Sequence, residues 1–161
     1  MEKSLEEVYG LQKHEVKLNR VETISGKVLE LFPTPGGNRF LVKVSFPEFS
    51  CVCPKTSQPD FGVLYIFYEP REWCFELKSM KYYLNSFRNE GHFHEQVVNT
   101  IFNDLEEALG LKPEFISEEE GYDSPLLVVG QFNVRGGTYP QIMVGNRDFW
   151  AEATSNRSEG L

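Results

Sequence analysis

The chain has 161 residues, 40% of them hydrophobic and 25% charged, a composition that suits one globular domain with a modest core. Its formal net charge of −8 argues against direct nucleic-acid binding, because a protein that binds a duplex gathers a basic surface to meet the phosphates. No apolar run approaches the roughly 20 residues that cross a bilayer, and three cysteines are too few for a secreted disulfide scaffold, so we expect a cytoplasmic protein that does not enter membranes.

Charged residues dominate the start of the chain, where helical spacing is weak, so residues 1–19 are expected to form a loosely ordered arm. A single domain is expected over residues 20–150, followed by a frayed tail over residues 151–161. Within the domain, RVETISGKVLELFP and NRFLVKVSFPEF are strand-like, and the turn sequence TPGGN between them predicts a hairpin. GVLYIFYEP predicts a further strand, and EWCFEL predicts another.

Two amphipathic helices are predicted next. ELKSMKYYLNSFRNEG has apolar residues at helical spacing, with Ser79 as the expected N-cap and Gly91 as the stop. HFHEQVVNTIFNDLEEALG repeats the pattern and stops at Gly110. The two stripes consist of Met80, Tyr83, Leu84 and Phe87 in the first helix and of Val98, Ile101, Leu105 and Ala108 in the second.

An acidic, turn-rich connection and a final strand in LLVVGQFNVRGG complete the order ββ(β)ααββ. This order is an α+β layout with two adjacent helices. So few strands form a small sheet with exposed edges, and closure into a barrel with copies of the same chain is one way to hide them. We therefore expect a homo-oligomer.

The stretch FSCVCPKTSQPDFG contains two thiols one residue apart. Cys51 and Cys53, together with His92 and His94, could offer zinc two sulfurs and two nitrogens. Both spacings are shorter than the usual Cys-x2–4-Cys and His-x3–5-His, which disfavours a metal site. A disulfide between the two cysteines is also disfavoured, because the single intervening residue would strain it.

A nucleophilic role fits Cys53 better. The strand-like segment breaks at Pro54, which places the thiol at the mouth of a loop, and the neighbouring Lys55 favours the thiolate. Asp60 follows after a bend, and its neighbours Pro59 and Phe61 are expected to desolvate it and favour its protonated form. Such a pair suits addition to an electrophilic carbon. The spacing alone leaves open a buried cysteine and a turn aspartate without chemistry.

Two further groups suit a nucleotide-like ligand. Glu95, beside His94 at the start of the second helix, could accept two parallel N–H bonds from a guanine-like base, although a helix cap is the commoner role. Lys78, Lys81 and Arg88 form a local cationic cluster that would attract phosphates, with a solvated helix face as the alternative. No P-loop or GxGxxG is present, so a dinucleotide would bind without a Rossmann site.

Four motifs occur together in order: CPKTSQPDF, ELKSMKYYLNSFRNEG, FHE and RGG. Over roughly residues 22–147 they resemble the nitrile reductase family, the NADPH-dependent 7-cyano-7-deazaguanine reductases of queuosine biosynthesis, a tRNA modification pathway. The resemblance implies the unimodular branch of that family. It also implies a tunnelling fold, in which ββααββ subunits with an antiparallel sheet assemble into oligomeric barrels that carry active sites at subunit interfaces.

The resemblance further implies a four-electron reduction of the nitrile of 7-cyano-7-deazaguanine to an amine by two NADPH, without a metal. Cys53 would form a covalent thioimide, Asp60 would protonate the nitrile nitrogen, and His94 would assist proton transfer. The implied substrate-binding residues are Phe75, Glu76, Leu77, His94 and Glu95, the first three reached from a neighbouring subunit. The implied cofactor-binding residues are Lys78, Ser79, Lys81 and Arg88.

Two related activities are alternatives. Amidinotransferases of archaeosine formation add ammonia to the same nitrile on tRNA and lack the ExKSxK motif for NADPH, whereas this chain keeps that motif from Glu76 to Lys81. Zinc-dependent GTP cyclohydrolases share the fold but require bound zinc. A binding module without catalysis is a third alternative.

Overall fold

The computed structural model describes residues 17–111, 114–117, 121–133 and 135–155. Most of the expected arm over residues 1–19 and the end of the expected tail, residues 156–161, lie outside the described residues. The described strands are β1 (Asn19–Glu22), β2 (Val28–Pro33), β3 (Val42–Val52), β4 (Pro59–Tyr68), β5 (Trp73–Phe75), β6 (Glu114–Ser117), β7 (Gly121–Asp123), β8 (Leu126–Asn133) and β9 (Gln141–Gly145). The described helices are α1 (Leu77–Asn85), a 3-10 helix (Ser86–Asn89), α2 (His94–Ala108) and α3 (Asp148–Ser155).

The strands form antiparallel sheets, and the chain has the predicted α+β character. The largest sheet has the order β3-β4-β8-β9, a second has the order β1-β2-β5, and β6 pairs with β7. The hairpin predicted across TPGGN is wrong, because β2 pairs with β1 and β5 while β3 pairs with β4. The first predicted strand contains its own tight turn, in which the Thr23 N–H donates to the Lys27 carbonyl at 2.8 Å and Gly26 has φ +77°.

The two predicted helices are present, and their apolar stripes pack against the sheets. Val98, Ile101 and Leu105 of α2 are fully buried, as the spacing predicted. The expected cap of α1 is wrong: Glu76, three residues before Ser79, is the N-cap. Its carboxylate accepts the backbone N–H groups of Lys78 at 2.9 Å and Ser79 at 2.7 Å, which neutralises two of the unpaired donors at the helix start.

The outer face of the four-stranded sheet is covered by α3. Trp150 packs edge-on against Tyr65 and Phe67, with ring centroids 5.6 and 6.0 Å away. The expected tail over residues 151–161 begins within this helix, which continues to Ser155. None of the helices in the described part of the chain is both long enough and apolar enough to cross a membrane.

A buried carboxylate ties three elements together. Asp104 of α2 is 1% exposed and accepts hydrogen bonds from the Ser25 backbone N–H at 2.9 Å, from the Ser25 hydroxyl, and from the Tyr83 hydroxyl at 2.7 Å. Burial and the neighbouring carboxylate both raise the pKa of Tyr83, so its hydroxyl keeps the proton that it donates. Asp104 therefore fixes the β1–β2 turn and α1 onto α2.

We expect Asp104→Asn to destabilise the fold, because the amide nitrogen cannot accept the hydrogen bonds that reach one of the two carboxylate oxygens. Leaving a buried donor unpaired costs about 1–3 kcal/mol. Thermal unfolding followed by circular dichroism measures this loss as a lower Tm. The matched control is Glu107→Gln, an exposed position on the same helix, and equal Tm values for the two variants would contradict the prediction.

Candidate active site

The turn between β3 and β4 presents Cys53. Cys53 directly follows Val52, the last residue of β3, and stands two residues after the buried Cys51. The turn closes through the Cys53 N–H, which donates to the Gln58 carbonyl at 2.8 Å, and through the Ser57 N–H, which donates to the Cys53 carbonyl at 2.9 Å. The half-buried Cys53 thus stands where the strand ends and the loop begins.

Asp60 lies in the inward-facing row of β4. It is 5% exposed and directly opposite Cys51 in the β3–β4 register. Its Oδ2 lies 3.3 Å from His94 Nε2, and its Oδ1 lies 3.3 Å from Arg135 Nη1. Within the described residues, Asp60 Oδ1 and His94 Nε2 are buried without a hydrogen bond of good geometry. Unpaired buried polar atoms are rare and often mark a reactive site.

His94 is the first residue of α2 and is held by stacking. Its ring lies on the ring of Phe132, with centroids 4.1 Å apart and an interplanar angle of 15°. This contact turns Nε2 toward Asp60. Glu95, the next residue, is exposed in the first turn of the helix, where the helix dipole favours a carboxylate.

The end of β3 is anchored next to this site. The Val52 N–H donates to the Glu90 carbonyl at 2.9 Å, and the His92 N–H donates to the Val52 carbonyl at 3.0 Å. Partial burial would raise the pKa of Glu90, but Lys27 at 2.5 Å and His92 at 3.0 Å outweigh it and lower that pKa. These contacts connect Cys53 and His94 through one rigid segment.

The two neighbouring thiols differ in acidity. A hydrogen bond from the Thr56 hydroxyl, followed by the backbone N–H groups of Lys55 and Thr56, lowers the pKa of Cys53 below its ordinary value of 9.0. Burial, and then the negative charge of Asp60, raise the pKa of Cys51 to about 11. Lys55 therefore acts through its backbone, and Cys53 is the thiol that reaches the nucleophilic thiolate form more readily.

Sequence reasoning missed Arg135 and Thr56 as members of the site. Arg135 follows β8 and reaches the turn, where its Nη1 donates to the Pro59 carbonyl at 2.9 Å and its Nη2 donates to the Thr56 hydroxyl at 3.3 Å. The RGG motif, which begins at Arg135, was the sequence signal that could have identified this residue. Gly136 and Gly137 have φ of +86° and +75°, a conformation that favours glycine.

Phe75, Glu76 and Leu77 do not join this group within one subunit. The Phe75 side chain is 2% exposed, and its N–H donates at 3.2 Å to the hydroxyl of Tyr68, the last residue of β4. Tyr68 is eight residues from Asp60, roughly 26 Å along an extended strand. Glu76 caps α1 and Leu77 is 55% exposed, so only Leu77 offers a free side-chain surface.

The four expected cofactor residues lie in three places. Lys78 and Ser79 line a cavity of about 270 Å³ with Arg20, and Lys81 lines a neighbouring cavity of about 280 Å³. The Ser79 hydroxyl is occupied by the Glu30 backbone, whose N–H it accepts at 3.0 Å. Arg88 is exposed in the 3-10 helix, about 15 Å further along the helical axis than Lys78.

Across the described ranges, no group of three or more His, Cys, Asp or Glu side chains is arranged to hold a metal ion. Two residues that the zinc interpretation made ligands, Cys53 and His94, both interact with Asp60. The negative charge of Asp60 opposes ionisation of the Cys53 thiol, and His94 Nε2 contacts the carboxylate of Asp60.

Comparison with known proteins adds a family match and close relatives. A family model described as "QueF-like protein" matches residues 59–149, a range that includes Asp60 and His94 and begins after Cys53. Three relatives are named NADPH-dependent 7-cyano-7-deazaguanine reductase. The relative from Thioalkalivibrio sulfidiphilus is 43% identical over 75% of this chain and 85% of its own length. The relative from Alkalilimnicola ehrlichii is 41% identical over 83% of this chain and 95% of its own length. The relative from Anaeromyxobacter sp. strain K is 49% identical over 69% of this chain and 82% of its own length.

We expect iodoacetamide to label Cys53 selectively in the folded protein. Its thiolate fraction exceeds that of Cys51 at neutral pH, because the pKa of Cys53 is lowered whereas that of Cys51 is raised to about 11. Cys74 is 3% exposed and therefore shielded from the reagent. Intact-mass measurement and peptide mapping over a pH series identify the labelled residue and give a midpoint below 9.0, the ordinary pKa of a thiol.

The control is Cys53→Ala, which should take up no label until the protein is denatured. Labelling of Cys51 or Cys74 at a rate comparable to Cys53 in the folded protein would show that the assigned reactivity is wrong.

Proposed function

Because the chain belongs to the QueF-like protein family, we propose that it catalyses the NADPH-dependent reduction of the nitrile of 7-cyano-7-deazaguanine to an aminomethyl group. The observation that carries the proposal is the half-buried Cys53, whose pKa is lowered, beside the buried carboxyl group of Asp60. The overall change consumes one nitrile, two NADPH and two protons, and gives one primary amine and two NADP⁺. The product is an intermediate of queuosine biosynthesis.

The first step is covalent addition. The Cys53 sulfur attacks the nitrile carbon, a C–S bond forms, and one C–N π bond breaks with its electron pair moving to nitrogen. Asp60 is placed to hold the proton that the thiol loses and to deliver it to that nitrogen, which gives a neutral thioimide. NADPH, when bound, supplies the two hydrides that complete the reduction.

His94 and Arg135 support the charge changes at Asp60. When Asp60 gives up its proton, a carboxylate forms at a position that is 5% exposed, where desolvation would disfavour it. Arg135 and His94, each 3.3 Å from one of its oxygens, offset that cost. His94 also has Nε2 directed at Asp60, so it can return a proton for the next step.

Glu95 is proposed to bind the deazaguanine ring. A carboxylate can accept the N1–H and the 2-amino group of the base as two parallel hydrogen bonds. Glu95 is exposed and adjoins His94, so its carboxylate can face the same ligand. The exposed aromatic rings of Phe61 and Phe93, which flank Asp60 and His94, offer flat apolar surface for stacking.

The complete site is proposed to form between subunits of a tunnelling-fold barrel. Phe75, Glu76 and Leu77 lie at the far end of β4 from Asp60, so a neighbouring copy would bring them to Cys53. The cations around α1 fit the phosphates of NADPH: Arg20 and Lys78 share one cavity, and Lys81 lies in the next. We propose that the reaction takes place in the cytoplasm and that its substrate is the free base rather than a nucleic acid.

We expect the protein to oxidise two NADPH for each nitrile consumed and Cys53→Ala to abolish turnover, because no other group can form the thioimide. Loss of NADPH absorbance measures turnover, and intact mass after mixing with the nitrile without NADPH measures the adduct. Asp60→Asn should still bind the nitrile but form the adduct about 10²–10⁴-fold more slowly, the usual contribution of a general acid.

A substrate adduct on Cys53→Ala would contradict the role of Cys53. Conversion of the nitrile with ammonia and without NADPH oxidation would instead identify an amidinotransferase.

Mixed oligomers test the shared site. We expect Cys53→Ala and Lys78→Ala to be inactive alone, and co-expression of the two to restore about a quarter of wild-type activity. That fraction follows because a working site needs Cys53 from one variant and Lys78 from the other. NADPH oxidation by co-purified, differently tagged subunits measures it. Co-assembled variants without recovered activity would show that each subunit builds its own site.

A further inference from the structure

We propose that Arg135 is a positioning residue: it clamps the Cys53–Pro59 turn, fixes one oxygen of Asp60 and directs the Thr56 hydroxyl hydrogen toward the sulfur of Cys53. Its consequence for catalysis rests on the proposed function. The clamp itself involves only groups of this chain and can be tested without nitrile or NADPH.

The guanidinium of Arg135 makes three contacts at the turn. Nη1 donates to the Pro59 carbonyl at 2.9 Å and lies 3.3 Å from Asp60 Oδ1, while Nη2 donates to the Thr56 hydroxyl at 3.3 Å. The planar, fixed geometry of the group lets one side chain bind at three points simultaneously. Arg135 thus joins the turn that carries the thiol to the strand that carries the carboxyl group.

Thr56 is the residue that links Arg135 to the Cys53 sulfur. A hydroxyl has one hydrogen to donate and two lone pairs to accept with. The Thr56 oxygen accepts from Arg135 at 3.3 Å and from the Gln58 N–H at 3.4 Å, so its hydrogen is left for Cys53. Thr56 is also the first of the groups whose hydrogen bonding lowers the pKa of the Cys53 thiol. A donor that itself accepts from a cation is polarised and binds an anion more strongly.

Several charged groups surround the Cys53 sulfur. Asp60 in β4 and Cys51 in β3 lie close enough to interact with it electrostatically, and Lys55 lies in the turn itself. His94 in α2 contacts Asp60, and Glu90 and His92 are hydrogen-bonded to Val52 at the end of β3. Asp60 opposes the thiolate. Arg135 contacts both Asp60 and the donor to Cys53, so its charge supports the two anions together.

The test is the pH dependence of Cys53 alkylation by iodoacetamide in the full-length protein. Arg135→Gln and Thr56→Val should each move the midpoint upward by about one pH unit, a tenfold loss of thiolate at neutral pH. Thr56→Ser keeps the hydroxyl and should restore the wild-type midpoint. The double variant should shift less than the sum of the single shifts, because both substitutions break one chain of hydrogen bonds.

Arg39→Gln is the matched control. It removes the same charge from an exposed arginine paired with Glu69, near the opposite end of β4, and should leave the midpoint unchanged. Arg135→Lys serves if Arg135→Gln fails to fold. It keeps the charge without the three-point contact and should shift the midpoint by an intermediate amount.

An unchanged midpoint in a folded Arg135 variant overturns the proposal. If the alkylation midpoint shifts in Arg135→Gln but not in Thr56→Val, the proposal that the Thr56 hydroxyl links Arg135 to Cys53 is overturned. A higher KM for NADPH with an unchanged alkylation profile would assign Arg135 to the cofactor instead. If the protein does not reduce the nitrile, the alkylation result still stands, so failure of the clamp and failure of the proposed function are distinguishable.

Discussion

The pairing register of β3 with β4 is the constraint on which the candidate site depends. Asp60 is opposite Cys51, so the two side chains lie on the same inward face, and Cys53 begins the turn that joins the two strands. A register shift by one residue would move Asp60 to solvent and replace it with Pro59 or Phe61. The register is fixed by the buried residues on the same face of β4, which include Leu64 and Ile66. Core packing therefore determines the geometry of the candidate site.

That position makes the fold bury a carboxyl group where an apolar side chain would cost less. A carboxyl group at 5% exposure is stable only with partners, and its partners here are His94 and Arg135 at 3.3 Å. Asp104, equally buried, satisfies its oxygens with three good hydrogen bonds and acts in structure alone. The two buried aspartates differ in their pairing: Asp104 is fully hydrogen-bonded, whereas Asp60 Oδ1 has no hydrogen bond of good geometry within the described residues.

Local patterns predicted the helices and strand β4 because each depends on apolar spacing within one segment. The hairpin prediction failed because turn sequences occur twice, and the earlier one, closed by Gly26, forms the β1–β2 hairpin instead. Ser79 was predicted as the cap because serine is a common N-cap residue, whereas Glu76 takes that place in the structure. Arg135 could not be assigned because it contacts Pro59, 76 residues away in the sequence. The local sequence pointed to Cys53 and Asp60 as candidate reactive residues but left a role without chemistry open, and the family resemblance implied their catalytic roles.

The positions of Asp60 and Tyr68 toward the two ends of β4 bear on how copies of the chain would assemble. Asp60 lies near one end of the strand and Tyr68 ends it, so the cysteine turn and the start of α1 lie toward opposite ends of β4. The sheet order β3-β4-β8-β9 leaves β3 and β9 as edges, and unpaired edges favour association with another chain. On the proposed assembly, one association would cover these edges and also bring Lys78 of one copy to Cys53 of the next. Activity would then depend on the quaternary structure, even though Cys53, Asp60, His94 and Arg135 are already arranged within each subunit.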